Sequence, residues 1–253
     1  MRTIKQILNA VLGKPLYLRL VSWWFIFSFR KGWLRGNPQY LTHYFVGKLI
    51  KKGYTIIDIG ANLGYYTTEF ARLTGTLGKV IAVEPIALYR QVLKKNIRPY
   101  RQVEVCPFAL GKVEGLVHMG LPGEDDHRHG LMKVLKDDEK KAARKVFEVK
   151  IRNPLQLFGH LPAIHYIKCD IEGYEVPVIP EMGSLIEKFR PIIQVETDGE
   201  NKQILHELFT GWKYRNFYVG EQGLVPFDKP EELLPGDLIA IPKEHPVLRE
   251  LGL

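Results

Sequence analysis

The sequence predicts an α/β fold with a mostly parallel sheet and helices on both faces. An apolar run around Ile56 and Ile57 leads into a glycine-rich turn and then into a helix-like segment, Tyr65 to Leu73. Two further strand-like segments follow, at Lys79 to Val83 and at Val103 to Cys106. Short apolar runs fit strands that are buried on both faces, and their alternation with helices predicts crossover connections.

The first 53 residues are expected to form a basic, aromatic helical segment ahead of a domain at residues 54–253. Residues 1–57 contain ten Lys or Arg and no Asp or Glu, whereas the whole chain of 253 residues carries a net charge of +8. The longest uncharged run, Leu20 to Phe29, is too short to span a bilayer. Two interpretations of residues 1–36 stay open: helices packed over the sheet and covering a ligand pocket, or a surface that lies in a membrane interface.

An amphipathic helix is expected just before the first strand. Leu41, Phe45 and Leu49 recur every four residues, and Gly53 is the expected cap.

The turn after the first strand has the sequence of a ligand-binding loop. Gly60, Asn62 and Gly64 stand at every second position. A strand, a glycine turn and a helix in this order bring backbone N–H groups and a helix N-terminus to a ligand. Asn62 fits the middle position because Asn tolerates positive φ better than most residues.

Two acids flank this turn. Asp58 ends the first strand, where it can meet a positive group of a ligand, and Glu84 ends the second strand at the distance typical of a ribose-binding carboxylate. The last glycine, Gly64, comes one residue too early for the dinucleotide fingerprint. The order of acid, glycine turn and second acid is typical of S-adenosylmethionine binding. The alternative is an ordinary turn whose glycines only relieve steric conflict.

The middle of the chain adds a predicted adenine contact and a polar loop. Ala109, Leu110 and Gly111 follow the third strand and should lie near the adenine, and an extra strand is expected at Leu116 to Leu121. Acids and imidazoles cluster in residues 123–144 without a recognisable metal-ligand spacing, so a solvated loop is expected and an acceptor lid is the alternative. The clustered residues are Glu124, Asp125, Asp126, His127 and His129.

A second polar motif, IKCDIEGYE, follows the strand predicted at Ile164 to Asp170. Lys168 and Asp170 should point to the same face because they are two residues apart in a strand. Such a Lys and its acids are costly to bury unless they pair or act chemically, so both a structural ion-pair network and a catalytic site are possible. The remaining predicted elements are strands at Pro191 to Thr197, Lys213 to Val219 and Asp237 to Ile241, and a helix at Asn201 to Phe209.

Together these motifs resemble the FkbM family of S-adenosylmethionine-dependent methyltransferases. The matching stretches are IIDIGANLGYYT, KVIAVEP, VCPFALG, IKCDIEGYE and RPIIQVET. The resemblance implies the class I methyltransferase fold, a Rossmann-like seven-stranded sheet whose last strand is antiparallel, in residues 54–253. One departure is Asn153-Pro154-Leu155, where the family often has Thr-Leu-Asp.

The resemblance also implies O-methylation, and it places the site on particular residues. The expected cofactor-binding residues are Asp58, Gly60, Ala61, Asn62, Gly64, Tyr65, Thr67, Glu84, Ala109 and Asp170. Asp170 is the first choice for the catalytic base and Glu172 the second, provided that burial raises the pKa of the carboxyl group. A divalent metal on these acids, acidifying the hydroxyl, is the alternative.

The expected acceptor is a hydroxyl of a saccharide, a glycolipid, a lipid-linked glycan or a related metabolite. A non-catalytic cofactor-binding protein that associates with membrane or glycan is the alternative, and a nicotinamide dehydrogenase is disfavoured by the glycine order. The two cysteines have no metal-like spacing and form no disulfide framework, which favours a cytoplasmic protein. Peripheral membrane contact through residues 1–36 stays open, and no nucleic-acid partner is expected.

Overall fold

An eight-stranded sheet forms the centre of the computed structural model, which describes residues 11–120, 133–135, 146–197, 201–232 and 236–253. The strands in chain order are β1 (Thr55–Ile59), β2 (Lys79–Val83), β3 (Val103–Cys106), β4 (Ala109–Leu110), β5 (Gly115–Gly120), β6 (Lys133–Val134), β7 (Val146–Arg152), β8 (Tyr166–Cys169), β9 (Ile192–Thr197), β10 (Tyr214–Gly220), β11 (Gly223–Pro226) and β12 (Gly236–Pro242). The α-helices are α1 (Lys14–Arg30), α2 (Leu41–Phe45), α3 (Tyr65–Thr74), α4 (Ala87–Asn96), α5 (Pro154–Phe158), α6 (Glu175–Val178), α7 (Gly183–Phe189), α8 (Asn201–Gly211) and α9 (Pro246–Glu250). Short 3-10 helices lie at Pro38–Tyr40, Val46–Lys48, Pro180–Met182 and Pro230–Glu232.

The main sheet has the strand order β11-β10-β12-β9-β8-β1-β2-β3. Strands β9, β8, β1, β2 and β3 are parallel to one another, and β12, β10 and β11 extend the sheet by antiparallel pairing. The chain runs from β1 outward through β2 and β3, and later returns to the other side of β1 with β8. The crevice beside β1 is therefore the topological switch point, where open α/β sheets bind ligands.

The predicted count of seven strands is one too low, because β11 adds an edge strand. This strand forms a hairpin with β10 in which Gly220 pairs with Gly223. It begins with Gly223 and ends in Pro226, two residues that are disfavoured in strands, so its sequence gives only a weak strand signal. The mostly parallel α/β architecture is confirmed.

A small second sheet has the strand order β4-β7-β5-β6. The extra strand predicted at Leu116 to Leu121 corresponds to β5, but β7 was not predicted. Val149 and Ile151 are buried on one face of β7, in the alternation typical of a strand with one solvent-facing side. After β7, Asn153 accepts a hydrogen bond from the Leu155 N–H at 2.9 Å and caps α5.

The helix predicted before β1 is shorter than expected. It consists of α2 and the 3-10 turn Val46–Lys48 rather than one helix up to Gly53. Gly47 weakens the helix at this point, because glycine loses the most backbone freedom on folding. Val46, Leu49 and Ile50 are nevertheless buried, as the apolar pattern predicted.

The two faces of the sheet bury separate apolar clusters. Ile57 and Ile59 of β1 face the cluster that contains α7 and α8, and Ile56 faces the cluster that contains Phe45 and Phe70. Asp58 shares its face with Ile56 because side chains alternate along a strand. On this face Asp58 is in register with Lys168 of β8, and Lys168 with Gln194 of β9.

Helix α1 packs beside the sheet on α4. Tyr17 and Leu18 are buried in a cluster with Leu63 and Tyr89, and Asn96 of α4 donates a hydrogen bond to Ser22 Oγ at 2.8 Å. Within the described ranges, no helix combines the length and the apolar character needed to cross a bilayer.

Candidate active site

A cavity of about 880 Å³ lies at the carboxyl ends of β1, β2, β8 and β9. This volume falls within the range of roughly 300–1,000 Å³ that is typical of small-molecule sites. Its floor contains the turn after β1, Glu84 after β2, and Asp170 and Glu172 after β8. The walls come from α1, residues 38–43, β10 and β12; the wall residues include Val21, Phe25, Pro38, Gln39, Tyr40, Leu41, Thr42, His43, Tyr218, Val219, Gly236 and Asp237.

The turn after β1 is held in a left-handed backbone conformation. Gly60, Asn62 and Gly64 have φ values of 78°, 49° and 91°. A Cβ on Gly60 would lie 1.8 Å from the carbonyl oxygen of Asp170, so only glycine permits the close approach of β1 and β8 at their ends. Gly64 is the N-cap of α3 and packs against Leu93.

The N–H groups at the start of this turn bond to the protein itself. Those of Gly60 and Ala61 donate to the Val83 carbonyl at 3.1 and 3.0 Å. The Asn62 N–H donates to Glu84 Oε2 at 2.9 Å. These N–H groups therefore fix the shape of the turn, rather than being held ready for a ligand as the sequence suggested.

Glu84 joins the turn to the loop after β2. Its Oε1 accepts a second hydrogen bond, from the Ile86 N–H at 2.7 Å. Burial raises the pKa of Glu84 to about 8, although the hydrogen bonds from Ile86 and Asn62 oppose the shift. The carboxyl group lines the cavity and each oxygen accepts a backbone N–H, so the remaining lone pairs are free to accept hydroxyl groups.

Asp58 lies beneath the cavity and is fully buried. Its Oδ2 accepts a hydrogen bond from Thr67 Oγ1 at 2.6 Å, and its Oδ1 lies 4.0 Å from Lys168 Nζ. Oδ1 has no hydrogen-bond partner among the described residues. Burial raises the pKa of Asp58, against the opposing effects of Lys168 and Thr67.

Lys168 is the buried cation of the site. Its Nζ donates to Asp170 Oδ2 at 2.9 Å and lies 4.9 Å from the centre of the Tyr66 ring. Burial alone would lower the pKa of Lys168, but the charges of Asp170 and Asp58 outweigh burial and hold the pKa above its usual value. Lys168 is therefore charged at neutral pH, and the predicted orientation of Lys168 and Asp170 on one face is observed.

Asp170 and Glu196 are neighbouring carboxyl groups whose pKa values shift in opposite directions. Burial tends to raise the pKa of Asp170, but Lys168 and a hydrogen bond with Glu196 hold it below its usual value. Burial and the neighbouring charges of Asp170 and Glu172 raise the pKa of Glu196. The charge of Lys168 thus favours the ionised form of Asp170, and burial favours the protonated form of Glu196. The condition set for the base, that burial raises the pKa of Asp170, is not met.

Glu172 completes a group of three acids that is suited to a cation. Ligand oxygens of Asp170, Glu172 and Glu196 lie within 4.8 Å of one another. Carboxylate oxygens are preferred ligands of Mg²⁺ and Ca²⁺. Glu172 has a φ of 56°, and the next residue, Gly173, has a φ of 90°, so the loop turns sharply at the cavity.

Glu175, the last acid of the IKCDIEGYE motif, organises this loop. Its Oε1 accepts hydrogen bonds from the N–H groups of Ile171 at 2.8 Å and Gly173 at 3.3 Å. Glu175 is buried and does not line the cavity, so its contacts are those of a structural residue.

Asp237 brings a further acid to the cavity from β12. It is paired in register with Glu196 and accepts a hydrogen bond from Gln194 Nε2 at 2.9 Å. Burial, together with the charge of Asp170, raises the pKa of Asp237 to about 6. The antiparallel extension of the sheet thus contributes directly to the site.

Aromatic rings close the side of the cavity that faces the N-terminal helices. The ring of Phe25 in α1 meets that of Tyr65 edge-on at 4.6 Å, and the His43 ring stacks on Tyr66 at 3.9 Å. Burial and the charge of Lys168 lower the pKa of His43 to about 3, so the imidazole is neutral. Its Nε2 has no hydrogen-bond partner within the described part of the chain.

Most of the predicted site residues line the cavity, and four do not. Gly60, Ala61, Asn62, Tyr65, Glu84, Asp170 and Glu172 line it. Asp58 and Thr67 lie below the floor, Gly64 packs on α4, and Ala109 packs against the cluster that contains Ile86 and Met119. The acids and imidazoles predicted to cluster in the polar loop, Glu124, Asp125, Asp126, His127 and His129, lie outside the described residues.

Several cavity residues were not predicted as site residues. Glu196 and Asp237 are the main examples, with His43 and Tyr66. Glu196 carried one usable signal: it lies near the carboxyl end of the strand predicted next to the IKCDIEGYE strand, where a parallel sheet exposes its ligand-binding edge.

Sequence comparison decides the family. The sequence model of the Methyltransferase FkbM domain matches residues 58–215, which is more than half of the chain. This chain belongs to the FkbM methyltransferase family. Its family and its fold are those of S-adenosylmethionine-dependent methyltransferases, as the motifs predicted. A search of curated protein sequences finds no significant match.

One solved structure supports the fold, and two others are less similar. The FkbM methyltransferase from Methylobacillus flagellatus KT superposes with a TM-score of 0.52 at 17% identity, over 79% of this chain and 47% of that chain. This chain thus spans about half the length of that FkbM structure. An O-methyltransferase from Thermotoga maritima is similar with a TM-score of 0.44 at 14% identity, over 81% of this chain and 65% of that chain. Aeropyrum pernix fibrillarin, solved with bound S-adenosyl-L-methionine, gives a TM-score of 0.45 at 12% identity, over 76% of this chain and 68% of that chain.

The cavity residues fit the cofactor of this family. The Glu84 carboxyl group lies at the cavity surface with free acceptor capacity for ribose hydroxyls. The acids around Asp170 give the adjoining part of the cavity a negative potential that suits a cation, since only Lys168 among the described lining residues is a Lys or Arg. S-adenosylmethionine carries both ribose hydroxyls and a positive charge. Glu84 suits the hydroxyls, and the acids around Asp170 suit the positive charge.

Proposed function

We propose that this chain is an S-adenosylmethionine-dependent O-methyltransferase whose acceptor is a hydroxyl of a saccharide, a glycolipid or a related metabolite. The observation that carries the proposal is the position of two neighbouring carboxyl groups, Asp170 and Glu196, in the same cavity as the glycine turn and Glu84. A hydroxyl acceptor requires a group that takes its proton, and in this proposal Asp170 is that group.

The cofactor half of the proposed site consists of the glycine turn and Glu84. When bound, S-adenosylmethionine would supply an electrophilic methyl group on a sulfonium. Glu84 would hold the ribose, and the main chain at Gly60 to Asn62 would shape the floor beneath it. Asp58 and Thr67 act from below, because their hydrogen bond fixes β1 to the start of α3.

The acceptor half consists of the acids around Asp170. Lys168 lowers the pKa of Asp170 and so favours its carboxylate form, which can accept the proton that leaves the hydroxyl group as the oxygen is methylated. Its low pKa makes it a weak base in the resting protein, but the acidity of an alcohol rises steeply during attack. Lys168 and Glu196 orient this carboxylate, and the aromatic wall limits the access of water.

A divalent cation is the alternative means of acidifying the hydroxyl group. Asp170, Glu172 and Glu196 are the residues that would hold it. Their separations favour this option, and a cation would displace the proton from Glu196. Both options predict O-methylation, and they differ in the effect of a chelator.

The first test of the proposal is ligand binding. We expect S-adenosylhomocysteine to raise the melting temperature of the protein and NAD to leave it unchanged. At a ligand concentration of 100 times the dissociation constant, the added stability is about 2.7 kcal/mol. A response to NAD alone would contradict the cofactor assignment.

The second test is methyl transfer. The protein is incubated with S-adenosylmethionine labelled in the methyl group and with saccharide and glycolipid fractions of cell extract. We expect label in a fraction as a base-stable ether, and we expect magnesium or a chelator to change the rate only if a cation is involved. Binding of S-adenosylhomocysteine without transfer to any fraction would favour a non-catalytic cofactor-binding protein.

A further inference from the structure

The outward side of α1 exposes large apolar side chains. Trp23, Trp24 and Trp33 are 55%, 56% and 62% exposed, and Leu16 and Leu20 continue the surface along the helix. On the opposite side of the same helix, Tyr17 and Leu18 are buried against the domain. The helix is therefore apolar on both sides, and packing within this chain accounts for only one of them.

These exposed side chains form one continuous surface. The Trp23 and Phe27 rings stack at 5.5 Å, and Trp33 meets Phe27 at 5.5 Å and Trp24 at 6.0 Å. We call this surface the aromatic face; it consists of Leu16, Leu20, Trp23, Trp24, Phe27 and Trp33. A continuous exposed apolar patch marks an interaction site more often than scattered apolar residues do.

The surroundings of the aromatic face are basic. In the described part of the chain, residues 11–57 contain eight Lys or Arg and residues 85–103 contain five, and neither segment contains an Asp or Glu. The two segments are in contact, because α1 packs on α4 through Ser22 and Asn96. Exposed basic residues of the two segments include Arg19, Lys31, Lys94, Lys95 and Arg98.

We propose that the aromatic face docks this protein on an anionic lipid surface. Tryptophan has an apolar ring and a polar N–H group, which suits the headgroup level of a bilayer. A helix in that position buries its apolar side in the interface while nearby Lys and Arg contact anionic headgroups. A second copy of this chain fits less well, because its aromatic face would bring the same positive charge.

Docking in this way brings the bilayer next to the cavity. Helix α1 lines the cavity with Val21 and Phe25 and carries the aromatic face on its other side. The lipid surface and the ligand cavity would thus share one helix as their common wall. The docking proposal can be tested without methyl transfer, because the experiment measures binding of the protein to lipid vesicles.

The test is co-sedimentation of the whole chain with lipid vesicles, at low and at high salt. One set of vesicles contains phosphatidylcholine alone, and the other contains phosphatidylcholine with phosphatidylglycerol. We expect binding to the anionic vesicles, weakened by salt, and a blue shift of tryptophan fluorescence in the bound state. Little binding to the neutral vesicles is expected, because apolar contact and charge act together.

Variants separate the apolar and the charged contributions. The triple variant Trp23→Ser, Trp24→Ser, Trp33→Ser should bind anionic vesicles at least about tenfold more weakly. The double variant Arg19→Gln, Lys31→Gln should lose binding in proportion to the charge removed. Leu77→Ser is the matched control, since Leu77 is 87% exposed and does not belong to the aromatic face. Circular dichroism and urea unfolding check that each variant is folded.

Four results would each overturn the proposal. They are absence of binding to anionic vesicles, equal binding to both kinds of vesicle, unchanged binding by the folded triple variant, and an equal loss in Leu77→Ser. A dimer of the intact chain that the triple variant converts to monomer would assign the aromatic face to a second copy instead.

Discussion

The two halves of the cavity stabilise their carboxyl groups by different interactions. Burial raises the pKa of Glu84 to about 8, although each of its carboxyl oxygens accepts a hydrogen bond from a main-chain N–H group. Around Asp170, four acids share the cavity with Lys168, the only Lys or Arg among the described lining residues. The first half is shaped by the backbone and the second by charge, so substitutions in the two halves should have different consequences.

The largest effect is expected from removing the cation of the charged half. Lys168→Met would leave the buried Asp58 and the partly exposed Asp170 without their counter-charge. Loss of one partner of a buried ion pair typically costs about 3–5 kcal/mol, so we expect a loss of this size in the free energy of unfolding, measured in urea.

Two further variants identify the cause of that loss. Adding Asp58→Asn to Lys168→Met should recover part of the stability, because one uncompensated charge disappears. Lys188→Met on α7 is the control, since Lys188 is exposed and its charge compensates no buried acid. An equal loss in both single variants would show that the charge network is not what stabilises this region.

A smaller free-energy change, but a specific one, is expected for the proposed base. Asp170→Asn should lower turnover by about 100-fold or more, because Asn cannot accept the proton. The affinity for S-adenosylhomocysteine, measured by calorimetry, should change much less. Glu187→Gln, an exposed acid on α7, should leave both quantities unchanged. Full turnover in Asp170→Asn would transfer the role of base to another group.

The effect that is smallest, when expressed per pH unit, is a pH dependence of stability that comes from the backbone-shaped half. The pKa of Glu84 is raised from 4.5 to about 8, so between these values the folded protein binds more protons than the unfolded chain. Stability therefore falls as pH rises through this window, by up to about 1.4 kcal/mol per pH unit. His43, whose pKa is lowered from 6.5 to about 3, has the opposite effect, but only below pH 6.5.

Between about pH 6.5 and 8, His43 no longer affects how stability depends on pH, so the effect of the buried carboxyl groups can be measured separately from it. Here Glu84→Gln should reduce the decline in stability, measured by urea unfolding at several pH values. Glu187→Gln should retain the wild-type slope. A slope that is unchanged in Glu84→Gln would mean that Glu84 is ionised in the folded protein.

The parts of the fold that depend on local sequence were predictable. The bounds of β2 and β3 agree with the prediction residue by residue, and α3 and β9 agree within one residue. These segments are apolar runs bounded by turn residues, and the period of their pattern is sufficient to assign them. β11 and β7 were missed because short or half-exposed strands carry a weaker signal.

The site residues also divide into those that local sequence predicts and those that only the pairing of distant strands brings together. The glycine turn and Glu84 were predictable because their spacing along the chain reflects one strand-turn-helix unit. Glu196 and Asp237 were missed because only the pairing of β9 with β12 brings them together. The direction of the Asp170 pKa shift was not predictable, because the charge of Lys168 outweighs burial, and sequence alone does not give the relative size of two opposing effects.

The contact between Gly60 and Asp170 has a consequence for how substrate preference can change within this fold. With so little space between the turn and the Asp170 carbonyl, the floor behaves as one rigid block and leaves little room for sequence variation. The walls from α1, residues 38–43, β10 and β12 are separate pieces of chain that enclose the same space. New acceptors are therefore most readily accommodated by exchanging these walls over an unchanged floor.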